Sequence, residues 1–499
     1  MEPWLYLKIQ RPLSGCAILM ALLGCQPFKV PVGQGIRAAT STERPNSDLK
    51  YLLFHTEGGS NPVAGTAGAS VTIMTKTEIL EEMNQLVSFV GDNVGDHKST
   101  QLGVAVGPIS FDFTDTQIRE LISDLFSAAE ETGVAVAFHI DDSMFWNRRQ
   151  DLWSDRNNIE WTDWNGTTQP HRIIGWAGGG TPFLAPQMCY NSPAIITEAT
   201  RLARDVIGLE IKKGIDRLNS IGKSHLFAGV LMGWETRLQD DSEDPHVEYG
   251  YCALTNLGYS QNNIPSDMNE VLTGVVSDWI TLWTRSLSEA GIIKNKIFTH
   301  IAYNAAVSAE EASAQNAPPS VAFTEYSNPG FSLYGNSYPS NFKKVLTDHG
   351  SPRWGISEGT AVGLANIFTG GTTSTSPMES YLAGAFNNGA VYVNIFGLNT
   401  QNPEFDEFAK ASSSVEAKEA YRKFLEGKQL VEGPMTTLAE RLQTALKNLQ
   451  DAVSRAQAEG QDISSVSGAM KELEDLLKAN DTEAAIAKAK EILELIEAL

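Results

Sequence analysis

Phe227-Ala228-Gly229-Val230-Leu231-Met232-Gly233-Trp234-Glu235 is a short run, apolar at both odd and even positions, that stops on a carboxylate. A strand that buries both faces belongs to a parallel sheet covered by helices, not to a half-solvated antiparallel one. Working outward, the same signal recurs at Tyr51–Thr56, Gly103–Ile109, Val134–Ile140, Lys296–Tyr303, Ser320–Tyr326, Arg353–Ser357 and Ala390–Phe396. With Phe227–Trp234 that makes eight strands. Between them lie stretches with helical spacing of Leu, Ile, Val and Ala: Thr77–Phe89, Thr116–Thr132, Ala194–Ser220, Ser266–Ala290 and Met378–Asn387. Ser308–Asn316 and Asn341–Asp348 are shorter, and Glu404–Leu425 closes the series. Strand–helix alternation of this length predicts an α/β fold, a (β/α)8 TIM barrel over residues 49–433. A doubly wound open sheet competes, but Gly178–Gly180 is a glycine run without the strand–helix context of a phosphate loop.

The ends carry different messages. Lys8 and Arg11 flank a short uncharged segment, Cys16–Leu23, that runs through Gly24 into Cys25. The segment falls short of the roughly 20 residues a membrane span needs. It resembles the lipobox of bacterial lipoproteins. That resemblance implies a signal peptide over 1–24, acylation of Cys25 and display on the cell envelope, at the outer membrane or cell surface. An ordinary cleaved signal is the plainer alternative. Residues 25–48, rich in Gly, Pro, Ser and Thr, read as a flexible tether. After Gly433 the composition shifts to Ala, Leu, Glu, Lys and Gln. Leu438–Glu459, Ser467–Ala479 and Thr482–Leu499 predict a C-terminal all-α extension over 434–499, a helical hairpin or bundle. Its heptads are too broken for a coiled coil.

The formal net charge is −22. A diffuse acidic surface argues against nucleic acid and against anionic lipid as partners. Of the four cysteines, Cys189 and Cys252 lie within the barrel. Exported compartments permit a disulfide between them; unpaired buried thiols are equally consistent with the spacing. The acidic run Asp240, Asp241, Glu243 and Asp244 reads as a solvated loop.

In such a barrel, chemistry gathers where the strands end. The polar residues there are His55 and Glu57, Asp112, His139 with Asp141 and Asp142, Trp234 and Glu235, Tyr303 and Asn304, Glu325 and Tyr326, Glu358, and Asn394 with Asn399. Carboxylates, amides and aromatics dominate, and the cations a phosphate substrate would want are nearly missing. The loop after strand three adds Trp146, Trp153, Trp161, Trp164 and Trp176, some packing the loop's own core, others offering flat faces to sugar rings. His139, Asp141 and Asp142 make a thin metal set, and binding of sugar hydroxyls is the stronger reading; no metal or other cofactor is expected.

The placement of Glu235 and Glu358 resembles clan A of the glycoside hydrolases, in which the acid/base Glu ends strand four and the nucleophilic Glu ends strand seven. The resemblance covers residues 49–397 and rests on placement. It implies a carbohydrate substrate cleaved by a retaining double displacement, with Tyr326 beside the nucleophile; strand-end placement and the Trp-rich loop put Asp141, Asp142, Trp146, Trp234, Asn304, Glu325 and Trp354 around the sugar. Where the clan often has Asn before the acid/base, this chain has Trp234, a departure that removes the clan's contact to the sugar 2-hydroxyl unless Asn304 or Asp142 supplies it. Glu325 is the rival catalytic carboxylate, although strand alternation lets only one of Glu325 and Tyr326 face the barrel. A cell-surface glycan-binding barrel without chemistry is the alternative; a metal-dependent hydrolase would need a compact His/Asp cluster that the scattered histidines do not advertise.

Overall fold

The computed structural model describes residues 49–60, 71–173, 183–238, 248–303, 316–335, 337–338, 340–351, 353–361, 373–374, 376–398, 406–433, 435–436, 438–458, 466–478 and 482–497. Cys25 with the signal and tether, Asn304, Trp176, Gly178–Gly180, the Asp240–Asp244 run, Asn399 and nearly all of Ser308–Asn316 lie outside the described residues.

Eight strands build the fold: β1 (Lys50–Glu57), β2 (Thr100–Ile109), β3 (Ala135–Ile140), β4 (Phe227–Met232), β5 (Ile297–Thr299 and Ile301–Ala302, interrupted at His300), β6 (Gly330–Tyr334), β7 (Trp354–Thr360) and β8 (Ala390–Ile395). Each pairs in parallel with the next, β8 pairs with β1, and β5 pairs with β4 through Ile297–Thr299 and with β6 through Ile301–Ala302. The ring is closed, which leaves the barrel sheet without an edge strand. The protein is a (β/α)8 barrel. Helices Lys76–Phe89, Asp115–Thr132, Pro193–Ser220 (through a π-helical turn at Leu202–Gly208), Met268–Glu289, Ser340–Asp348, Pro377–Phe386, Asp406–Ser413 and Val415–Leu425 follow the strands. The first two begin on reciprocal caps, Thr75 with Glu78 and Thr114 with Gln117, each cap stabilising its helix by about 1 kcal/mol.

Strand six is displaced from its expected place. Over Ser320–Tyr326 the chain instead makes a 3-10 turn, Pro319–Ala322, and β6 starts eight residues past Ala322 at Gly330. Pro318 and Pro319 fix φ and lack the N–H an inner strand must donate. Gly330 enters a crowded position: a Cβ there would stand 2.1 Å from the Thr299 carbonyl oxygen and 2.4 Å from Ser357 Oγ. Strand seven runs further than Arg353–Ser357, so Glu358 lies inside it. The ladder between β6 and β7 slips at that point, where Phe331 pairs with Ile356 but Ser332 pairs with Glu358. The extra residue, Ser357, is a bulge, and a bulge reverses the facing of the side chain that follows.

The inside of the barrel is filled by Tyr51, Leu53, Ala105, Ala135, Ala137, Leu231, Phe298 and Tyr392. Stepping two residues toward the strand ends from Leu53, Ala137, Phe298 and Tyr392 reaches His55, His139, His300 and Asn394, the polar layer above that plug. The chain divides into two compact units, the barrel over Ser47–Thr437 and a second that holds Leu438–Leu499. In the second, helices Leu438–Ala458, Ser467–Lys478 and Thr482–Glu497 bury their own cluster of Leu449, Ala452, Leu473, Ala485, Ala489, Ile492 and Ile496. No helix among the described residues is long and apolar enough to cross a membrane.

Candidate active site

β4 leaves the barrel through a sharp turn. Gly233 has φ +107°, and its N–H donates to the Ile140 carbonyl. Glu235 has φ +54°, in the left-handed region that disfavours side chains by about 1–3 kcal/mol. The strained turn sets the carboxylate over the barrel mouth, 29 % exposed. Oε1 accepts from Ser332 Oγ at 2.5 Å, and Oε2 faces Arg237 Nη1 at 3.4 Å. Arg237 was missed among the strand-end residues because it follows Glu235 by two positions, outside the strand.

Glu358 is the buried partner, 8 % exposed. The hydroxyl of Tyr334, at the end of β6, donates to its Oε1. Burial, and then the Glu235 charge, push the Glu358 carboxyl up to about 8, against the pull of the Tyr334 hydrogen bond. Ser332 ties the two carboxylates together. Its hydroxyl reaches Glu235, while its backbone is the sheet partner of Glu358. Glu235 and Glu358 therefore flank one strand.

Beneath them lies a cluster of imidazoles. His139 Nε2 is 2.8 Å from His300 Nδ1, and His300 Nε2 is 2.6 Å from Ser332 Oγ. His55 meets His139 edge-on, with ring centroids 5.8 Å apart. Burial keeps all three neutral: His55 and His300 fall to about 4, and His139 falls well below its ordinary value. Gly107 makes room for this, since a Cβ there would lie 2.7 Å from that of His139. The rings join edge to edge, and among the described residues no three metal-ligating side chains converge. Trp234 stacks on His139 at 4.3 Å and packs beside Met144, Phe145 and Leu184 as part of the mouth's floor.

Several expected ligands have other tasks. Asp141 accepts from the backbone N–H groups of Ser143, Met144 and Phe145, organising the loop's first turn. Asp142 accepts from Thr236 Oγ1 and Trp279 Nε1, both at 2.8 Å, joining that loop to β4's exit and to the helix after it. Both carboxylates are fully buried, without the open surface expected of residues that bind sugar hydroxyls. Trp146 is fully buried, its indole N–H on the Pro186 carbonyl. Trp354 begins β7 at the opposite end of the barrel, equally buried, its N–H on the Asn388 carbonyl. Trp153 and Trp161 donate to the carbonyls of Asn147 and Arg156. Glu325 and Tyr326 precede β6, on the side where strands begin. The tyrosine beside Glu358 is Tyr334, and Glu325 is remote from the mouth.

The fold and site define a barrel with two glutamates at one rim, one half-buried beside an arginine after β4 and one buried beside a tyrosine in β7. No family model matches the chain, and no curated protein does. Solved structures overlap it loosely. The catalytic domain of a beta-amylase from Paenibacillus polymyxa shares 8 % identity at a TM-score of 0.43, covering 77 % of this chain and 100 % of that one. A glycoside hydrolase family 5 enzyme from Prevotella bryantii shares 9 % at 0.32, covering 74 % and 95 %. A sugar phosphate isomerase/epimerase from Parabacteroides distasonis shares 10 % at 0.32, covering 77 % and 98 %. Overlaps of this quality carry no argument about function; the fold rests on the closed strand order above.

Proposed function

We propose that the protein is a glycoside hydrolase acting on an oligo- or polysaccharide by a retaining double displacement, displayed on a membrane through lipidated Cys25. The observation that carries the reading is Ser332, which holds Glu235 while its backbone pairs with Glu358, so that two carboxylates flank one strand at the mouth. In the scheme, the Glu358 carboxylate attacks the anomeric carbon as Glu235 gives its proton to the glycosidic oxygen and the leaving group departs. Water then attacks the glycosyl-enzyme, Glu235 takes the water's proton, and Glu358 is released. Tyr334 donates to the attacking carboxylate and orients it. The Glu235 charge is one cause of the raised Glu358 carboxyl, so the two groups act on each other across the mouth.

One observation favours exchanged roles. Glu358 is the buried carboxyl with the raised value, while Glu235 faces Arg237, so near neutral pH a proton rests on Glu358. Chemical rescue separates the two assignments. The protein is first screened against plant, fungal and host glycans for released reducing ends, then assayed on a matching activated aryl glycoside. With Glu358 as nucleophile, Glu358→Ala plus azide yields the glycosyl azide of inverted configuration, and Glu235→Ala plus azide the retained one. The reverse pattern assigns the exchanged roles. Full activity in both variants refutes the site. A glycan-binding barrel without chemistry would bind in the screen, release nothing, and keep its affinity in both variants.

A further inference from the structure

His139, His300, Ser332 and Glu235 form one hydrogen-bonded chain, with contacts of 2.8, 2.6 and 2.5 Å. His300 Nδ1 also lies 3.2 Å from the Gly233 carbonyl oxygen. At the far end, His139 Nδ1 is buried with no hydrogen-bond partner. Each contact holds a single proton, and a neutral imidazole carries one N–H. Directions along the chain are therefore linked.

When Glu235 is ionised it only accepts. Ser332 must donate to it, so Ser332 accepts from His300 Nε2–H. His300 Nδ1 is then bare and accepts from His139 Nε2–H. When Glu235 is protonated, the proton goes to Oε1, because Oε2 faces the Arg237 guanidinium, which only donates. Glu235 then donates to Ser332, and Ser332 donates to His300 Nε2. His300 carries its proton on Nδ1, between the Gly233 carbonyl and His139 Nε2, and His139 carries its own on Nδ1. The second state holds one more proton than the first, and both imidazoles are neutral in each.

We propose that His300 is a positioning residue for Glu235, acting through Ser332, and that its tautomer reverses each time Glu235 gains or loses its proton, with His139 following. The role matters to catalysis only under the acid/base reading of Glu235, on which it rests. Ser332 stays bonded to Oε1 in both states, so the carboxyl keeps its orientation while it alternates between donating and accepting. Among the described residues, the charged or titratable groups facing the chain include Arg237 beside Oε2, Tyr334 on β6, Glu358 on β7 and His55 against His139.

The test needs no turnover. In the full-length protein with 15N-labelled histidine and 13C-carboxyl-labelled glutamate, the tautomers of His300 and His139 are read from the nitrogen shifts at a pH where Glu235 reads as ionised. The wild type is expected to show Nε2–H on both rings. Glu235→Gln turns its amide oxygen to Arg237 and its amide N–H to Ser332, and so should show Nδ1–H on both rings at the same pH. In a Ser332→Ala background the difference should vanish. The same tautomer in wild type and Glu235→Gln, or an imidazolium in either, overturns the proposal. Tautomer reversal in a protein that cleaves no glycan leaves it standing and refutes the hydrolase reading instead.

Discussion

Replacing Glu358 by Gln should stabilise the barrel, and by an amount that grows with pH. The side chain is buried, and its carboxyl rises from 4.5 to about 8. Below the unfolded-state value both folded and unfolded chains hold the proton, so the pair of states differs little. As pH rises, the unfolded chain ionises first, and stability falls until the folded-state value is passed. At about 1.4 kcal/mol per pH unit, the loss at pH 7 is on the order of 3 kcal/mol. The amide is nearly isosteric, and its oxygen still accepts from Tyr334. Urea unfolding of wild type and Glu358→Gln at intervals from pH 5 to pH 9 reads the difference directly. It should widen from about 1 kcal/mol at pH 5 through pH 8 and then level off. Adding Glu235→Gln to the wild type should move the levelling to lower pH, because the Glu235 charge is the second cause of the rise. A stability difference constant across the range, or a variant less stable at every pH, would refute the reasoning.

Two further outcomes are expected. Gly355→Ala places a Cβ 2.2 Å from the Tyr392 ring inside the barrel and should destabilise it by about 1–3 kcal/mol, measured by thermal melting, with Tyr392→Ala relieving part of the loss. Cys25→Ser should move the protein from the washed membrane fraction to the soluble one with an unchanged melting curve; persistence in the membrane fraction argues against the anchor.

Closure of the barrel was legible because buried parallel strands leave an unmistakable apolar run, and Phe227–Met232 and Ala390–Ile395 are of that kind. β6 was not, since Gly330-Phe331-Ser332-Leu333-Tyr334 is only five residues long and lies behind Ser320–Tyr326, a longer run of similar apolar content whose start is taken up by the 3-10 turn Pro319–Ala322. With β6 went Tyr334, replaced in the reading by Tyr326. His300 is hidden in the sequence because it sits within the apolar run of β5 and not after it. Counting by two from Phe298 would have found it. Asp141 and Asp142 were placed correctly at the end of β3, but nothing in their spacing says that the next three backbone N–H groups fold back onto one and a distant indole onto the other. Trp146 and Trp354 show the same limit: an indole at a strand end reads identically in sequence whether its face is open or packed.

The left-handed backbone at residue 235 has a bearing on how this chain can drift. Glycine adopts that conformation freely and asparagine tolerates it, so selection for folding alone would carry the position away from glutamate. A lineage that kept the barrel merely to hold glycans would find glycine at 235 both accessible and favourable. Glutamate there is the residue that folding would discard first, and its replacement by glycine is the change to look for in any descendant that has given up cleavage.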